Sequence, residues 1–456
     1  MTGESERTSG RRPLSILVYA PILNAGGGTR LLRRILPEFL GHPELGRVRL
    51  LTAATRAEAG EAPQFDIPGL EVERVARGWL GAPASGGDPP HSGRLLRYLK
   101  YAGAPLLRTG RRRWAEWLSG GSLSARALGR LLPRERWAAR FDRGFDLLWA
   151  FWPHRLPPPA SHVPVVCTVQ DLIFFDFPEI LGPVETQAEH ARLGRWLASS
   201  RIIVVSSGAS AEKLSEHFGV DPAKVRIVRH AYFLGDASAP VPPRPARIPL
   251  SVSKYLLVAS NTTIHKNHAN LLVAWSRFSK RREWTLVLAG PGTDVLAEPG
   301  RQGFFPSDHG SSLKALARRL GLSPGEDVLV LGEVTGEEIL GAIGNAAGLV
   351  MPSFAEGGGS FPVEEALTLG VPVISSDIGP VREQTEGRTA EILWFDPYSP
   401  DQLRAALERL ASDEPALRAK ARRARSDPRP GWSVVADQYA RVFSEAAGRA
   451  EAALVP

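Results

Sequence analysis

The sequence of 456 residues predicts an α/β protein of two doubly wound domains joined by a proline-rich connector. Three observations lead there. The chain is longer than one hydrophobic core usually organises, so two domains are the default. A strand, a glycine-bearing turn and a helix open the chain, and the same rhythm restarts near residue 255. Between the two halves, residues 235–250 hold Pro240, Pro242, Pro243, Pro245 and Pro249, which reads as an extended, semi-rigid linker.

The elements follow in order. Residues 1–13 are polar and read as a disordered tail. Residues 15–20 form the first strand, 21–28 a loop, and 29–40 a helix with Leu31, Leu32, Ile35, Leu36 and Phe39 on one face. Residues 61–140 carry Gly and Pro clusters and read as strand fragments followed by inserted helices. The apolar runs at 147–151, 163–169, 201–206 and 225–228 are parallel core strands, with a helix at 210–218. In the second half, strands are expected at 255–259, 285–289, 328–331, 349–351 and 371–374. Helices are expected at 269–278, 337–343 and from Pro362. Gly431-Trp432-Ser433 opens a last helix with Val435, Tyr439, Val442 and Phe443 as an apolar stripe.

Composition narrows the classes. At 43% apolar and 23% charged the chain is ordinary for a globular protein, and it has no run of eighteen apolar residues to span a membrane. Arg11-Arg12 before residues 14–23 superficially resembles a secretion signal. However, Pro21 and Asn24 interrupt the apolar part, so a first β-strand and a cytoplasmic location are expected. The lone Cys167 rules out an internal disulfide and reads as a buried small residue. Its ten histidines show no zinc-ligand spacing. The net charge of +8 is concentrated: residues 91–140 hold twelve Lys or Arg against Glu116 and Glu135. With Trp114, Trp117 and Trp137 interleaved, this segment is a solvated helical insertion or a face for an anionic acceptor or membrane surface. No recognition motif for nucleic acid accompanies the charge.

The most informative stretch is residues 346–377, AAGLVMPSFAEGGGSFPVEEALTLGVPVISSD. A buried strand leads through Glu356-Gly357-Gly358-Gly359-Ser360 into a helix beginning near Phe361. Such a loop presents free N–H groups and the positive helix end, a site for phosphate or pyrophosphate. Carboxylates beside a phosphate would repel it, so Glu356, Glu364 and Glu365 better suit hydroxyls. Phosphate plus hydroxyls suggests a sugar nucleotide.

The P-S-x-x-E-G opening, the P-V-x-E-A helix and the G-V-P-V-I strand resemble the donor-site signature of retaining glycosyltransferases of family 4, which have the GT-B fold. The resemblance implies two Rossmann-like domains facing across a cleft, hexosyl transfer from a nucleotide-diphosphate sugar, and no metal cofactor. The implied division is an acceptor-side domain, residues 14–236 with the last helix 430–456 and the insertion 91–140. A linker at 237–250 and a donor domain at 251–429 complete it. Glu356 matches the family glutamate near the donor sugar. For the ribose-binding glutamate, Glu364 has the family spacing, whereas aligning Phe361-Pro362-Val363 with the helix start makes Glu365 the counterpart. Lys266 of His265-Lys266-Asn267 matches the phosphate-binding lysine. The family's arginine five residues earlier is Asn261 here, a loss that His265 or Arg30 would have to offset. Thr168-Val169-Gln170-Asp171-Leu172 resembles T-x-H-D-L, with Gln170 at the histidine that reaches the transferring sugar. Glutamine bonds a hydroxyl but accepts no proton near neutral pH. Backbone around Val334 corresponds to the nucleobase pocket, and Gly26 and Gly27 to the family's first glycine loop.

Partners implied are a nucleotide sugar and a saccharide or lipid-linked acceptor, with peripheral contact on the inner membrane face through 91–140. Two rivals remain at this point: an epimerase or hydrolase on the same fold, and a non-catalytic sugar-nucleotide-binding protein.

Overall fold

The computed structural model describes residues 12–21, 27–53, 65–75, 137, 140–154, 156–231, 240–297, 309–325 and 327–449. The first sheet contains β1 (Leu14–Tyr19), β2 (Leu45–Ala53), β3 (Glu71–Val75), β4 (Leu147–Ala150), β5 (Val165–Thr168), β6 (Ile202–Val205) and β7 (Val225–Ile227). Their spatial order is β3-β2-β1-β4-β5-β6-β7. The second sheet contains β8 (Tyr255–Ala259), β9 (Thr285–Ala289), β10 (Val328–Gly332), β11 (Gly348–Met351), β12 (Val373–Ser376) and β13 (Ile392–Phe395), ordered β10-β9-β8-β11-β12-β13. Every neighbouring pair in this second sheet is parallel. Each order reverses direction once, between β1 and β4 and between β8 and β11. Those reversals are the topological switch points at which doubly wound sheets bind ligands, beyond the carboxyl ends of the strands.

The chain forms two units, one of Met1–Thr168, Ala191–Ile203 and Tyr439–Pro456, the other of Val169–His190 and Val204–Gln438. In the first, helix α1 (Gly27–Gly41) buries Leu31, Leu32, Ile35, Leu36 and Phe39, the face its spacing predicts. Phe39 lies against Trp149 with ring centroids 5.4 Å apart, and Tyr439 and Phe443 of the last helix close over both. The final helix therefore belongs, from Tyr439 onward, to the first unit. The polar atoms of this apolar cluster are satisfied: Trp149 Nε1 donates to Thr168 Oγ1 at 2.8 Å, and the Tyr439 hydroxyl lies 3.4 Å from the same oxygen. Cys167 is buried in β5, and burial pushes its thiol up to about 12. Of the basic segment 91–140 only Trp137 and Arg140 are among the described residues. Trp137 is a core ring packed on Tyr19 and Phe141, not a surface one.

In the second unit both faces of the sheet are covered, so successive residues of β8 are apolar and alternate between two cores. Leu256 and Val258 pack with α4 (His268–Ser276) and α9 (Pro400–Arg423), through Leu271, Trp275, Leu407 and Leu410. Tyr255 and Leu257 pack with α6 (Gly336–Gly344) and α7 (Phe361–Leu369), through Ile343, Val363, Ala366 and Leu367. The described end of the linker is seated on α6, where Asn345 Nδ2 donates to Pro242 O at 3.1 Å. The strand predicted from residue 371 begins at Val373 instead, because the Val371 N–H closes the end of α7 on Ala366 O at 2.8 Å. Among the described residues no helix is long and apolar enough to cross a membrane.

Candidate active site

The loops after β8 and β11 meet at the switch point of the second sheet. After β8, Asn261 Oδ1 accepts from the Thr263 amide at 3.2 Å and from its hydroxyl at 2.5 Å, an Asx turn that commits Asn261 to its own loop. A 3₁₀ turn, Ile264–Lys266, follows. Asn267 then takes a left-handed conformation with φ 56° to start α4. Its buried amide holds two other loops, donating to Pro352 O at 2.9 Å and Pro397 O at 2.8 Å. The Phe354 amide donates to His265 O at 2.8 Å, locking the β11 loop alongside. These ties bring Lys266 Nζ to 2.6 Å from Glu356 Oε1, with side chains 17% and 10% exposed. The two residues expected to handle charge and sugar, ninety positions apart, are one ion pair.

The glycine loop is pinned from several sides within the second unit. A Cβ on Gly357 would stand 2.3 Å from Gln170 O and 2.8 Å from Asp171 Cβ, so only glycine fits there. Gly357 O accepts from Ser207 Oγ at 3.0 Å and Ser210 Oγ at 2.9 Å, both at the start of α3 (Gly208–Phe218). Gly359 has φ 137°, outside what side-chain-bearing residues readily adopt. Gln384 then grips Ser360, accepting from its amide at 2.7 Å and donating to its carbonyl at 2.9 Å. Ser207, Ser210 and Gln384 were not legible as site residues. Ser-x-x-Ser opening a helix is a cap signal, and indeed Ser207 caps α3.

Helix α7 starts at Phe361 with Pro362 in its first turn, as the sequence predicts. The two candidate glutamates have different environments. Glu364, 4% exposed, is ion-paired with Arg388 and lies 3.8 Å from Arg429. Glu365 is fully buried one position on, about 100° around the helix. Glu364 is thus occupied by a structural pair with Arg388. Burial lowers the Arg429 guanidinium, a cost that the Glu364 charge opposes.

Gln170 is 7% exposed, and its Oε1 lies 3.1 Å from His230 Nε2. His265, a candidate to replace the missing arginine, is no cation at neutral pH. Burial, then the Lys266 charge, pulls it down to about 2. His268, fully buried behind it, falls to about 3. Val334 rests half-buried on the α6–α7 core. Gly27 opens α1 in the first unit, and Gly26 lies outside the described residues. Among the described residues no three His, Cys, Asp or Glu side chains gather as a metal site would.

The switch point of the second doubly wound sheet thus carries a lysine–glutamate pair and a glycine loop feeding a helix. Residues 248–427 match the family Glycosyl transferases group 1. Over those residues the chain is similar to glycosyltransferases of this group, and its two doubly wound sheets are GT-B-like. Similar solved structures extend over nearly the whole chain. HepE of Anabaena, in complex with UDP and glucose, is 17% identical with a TM-score of 0.62, covering 95% of this chain and 100% of its own. Sucrose-phosphate synthase from Thermosynechococcus elongatus is 16% identical at a TM-score of 0.63, with 95% and 99% covered. WaaG, a glycosyltransferase involved in lipopolysaccharide biosynthesis, is 15% identical at 0.57, with 94% and 99% covered. At such identities the likeness is one of fold. No curated protein matches the chain by sequence.

Proposed function

We propose that this chain moves a sugar from a nucleotide-diphosphate sugar to an acceptor hydroxyl with retention, in assembly of a cell-surface polysaccharide or glycoconjugate. The observation that carries the reading is the Lys266–Glu356 pair, 2.6 Å across, set beside the glycine loop at the switch point. The diphosphate lies on the N-terminal N–H groups of α7, with the Lys266 ammonium against it. Glu365 takes the ribose hydroxyls, since Glu364 is held by Arg388. Glu356 and Gln170 take hydroxyls of the sugar, and backbone around Val334 takes the base. Complexes of HepE with UDP and UDP-glucose make uridine donors the first to try.

In the reaction the bond from the anomeric carbon to the phosphate oxygen breaks, and the acceptor oxygen bonds that carbon on the same face. The acceptor's proton passes to the departing phosphate, so neither a metal nor a protein base is required. Charge grows on the diphosphate as the bond breaks, and a preorganised Lys266 stabilises that state more than the ground state, by about 3 kcal/mol. The domain division at 237–250 and contact of segment 91–140 with an anionic acceptor or membrane surface belong to the same proposal. Slow donor hydrolysis followed by proton NMR tests it without knowing the acceptor. An axial–equatorial anomeric coupling that matches the donor's own configuration in the first-formed sugar is the expected result. The opposite anomer would overturn retention, and no release from any nucleotide sugar would favour the non-catalytic rival.

A further inference from the structure

His230 carries no motif, and its role emerges only from the fold. It follows β7 and is 8% exposed, and its Nε2 stands 3.1 Å from Gln170 Oε1. At the other end of the same carboxamide, Gln170 Nε2 is buried and has no hydrogen-bond partner among the described residues. The backbone of Gln170 is the surface against which Gly357 packs, so residue 170 adjoins the glycine loop, one residue from Glu356 along it. A buried amide is costly when half satisfied, and the cost is tolerated where a ligand completes the bonding.

We infer that His230 is a positioning residue: it holds the oxygen end of the Gln170 carboxamide and thereby aims the amide nitrogen at a hydroxyl of the bound donor's sugar. This rests on the donor-site reading above. A hydroxyl is the fitting partner, because it accepts from the NH2 group without bringing a charge into a buried place. The imidazole suits the task. Burial pulls it down to about 4, so near neutral pH it is uncharged and its Nε2–H donates to the glutamine oxygen as a neutral hydrogen bond. In this arrangement a histidine–glutamine couple does with two residues what one histidine at position 170 would do alone, without offering a protonatable atom to the sugar.

The experiment has a ligand-free arm and a ligand arm. In the ligand-free protein, ¹⁵N NMR of the His230 ring should report a proton on Nε2, with a shift that moves in Gln170→Ala. A ring signal indifferent to Gln170→Ala removes the clamp, whatever the protein binds. In the ligand arm, calorimetry compares UDP with UDP-glucose, and likewise GDP, ADP and TDP with their glucose or mannose conjugates. His230→Leu should leave the nucleoside diphosphate affinity unchanged and weaken the sugar conjugate about tenfold. His230→Gln, which restores a donor near the same place, should recover most of that loss. Equal weakening of diphosphate and conjugate would make His230 merely structural and overturn the inference. Failure of the wild type to bind every pair would sink the donor reading instead, and with it the assigned role of a clamp that the ligand-free arm still detects.

Discussion

Replacing Lys266 by alanine separates what the lysine does for the fold from what it does for the donor. Its ammonium and the Glu356 carboxylate are 2.6 Å apart and at most 17% exposed, too sheltered for the small values of surface pairs. With an effective dielectric near 20, charges at about 4 Å attract by roughly 4 kcal/mol, part of which offsets their desolvation. Truncating one partner of a fully buried pair costs about 3–5 kcal/mol, so at this partial exposure Lys266→Ala should cost about 2 kcal/mol in urea denaturation. Most of that loss comes from the orphaned carboxylate. The double variant Lys266→Ala with Glu356→Gln should therefore regain more than half of it. Donor binding should behave differently. A lost charge-assisted bond to diphosphate is worth about 1.5–3 kcal/mol, or roughly ten- to a hundred-fold in Kd, and neutralising Glu356 cannot restore a missing cation. Titration of UDP into both variants reads this directly. If the double variant regained wild-type UDP affinity, Lys266 would be only Glu356's counterion, and the placement of the phosphates would be wrong.

Other perturbations test neighbouring parts of the site. Gly357→Ala must push a methyl into Gln170 O, so it should cost about 1–3 kcal/mol and at least tenfold in donor turnover, read by denaturation and hydrolysis assays. Glu364→Gln should destabilise by about 3 kcal/mol, by leaving Arg388 buried without its charge partner, and leave UDP affinity intact. Glu365→Gln should do the reverse, weakening UDP about tenfold with little change in stability; interchange of the two outcomes would reassign the ribose contact to Glu364. Acid should loosen the second unit. His230, His265 and His268 sit at about 4, 2 and 3 in the folded protein, below an unfolded value near 6.5. Below pH 6.5 the unfolded chain binds protons that the folded one refuses. Stability is then full above that pH and falls toward pH 4, by up to about 1.4 kcal/mol per unit for each histidine. A urea midpoint unchanged from pH 7 to 5 would contradict that burial.

Much of the second half was legible because short-range pattern decides it. Pro362 and the glycines mark the helix start, and β8 and β11 announce themselves as apolar runs of the right length. The ion pair was legible only as two separate expectations, since nothing in the sequence says that Phe354 bonds His265 and so aligns residues 266 and 356. Glu364 and Glu365 are not distinguished by spacing alone, because what sets Glu364 apart is its contact with Arg388 and Arg429, far along the chain. The same holds for His230. The amphipathic α9, with Leu403, Leu407 and Leu410 buried, has a regular helical period, but Pro415 within it hides its full length in the sequence. In the first half, Trp137 read as part of a basic surface because its neighbours are arginines. Packing on Tyr19 outweighed that local composition.

The most direct test of the central claim is calorimetric titration of UDP, GDP, ADP and TDP into the wild-type protein and Lys266→Ala. Micromolar binding of at least one nucleotide by the wild type, weakened tenfold or more in the variant, is the expected result. Absence of binding by all four, or affinity indifferent to Lys266, would contradict a donor diphosphate seated between Lys266 and the start of α7.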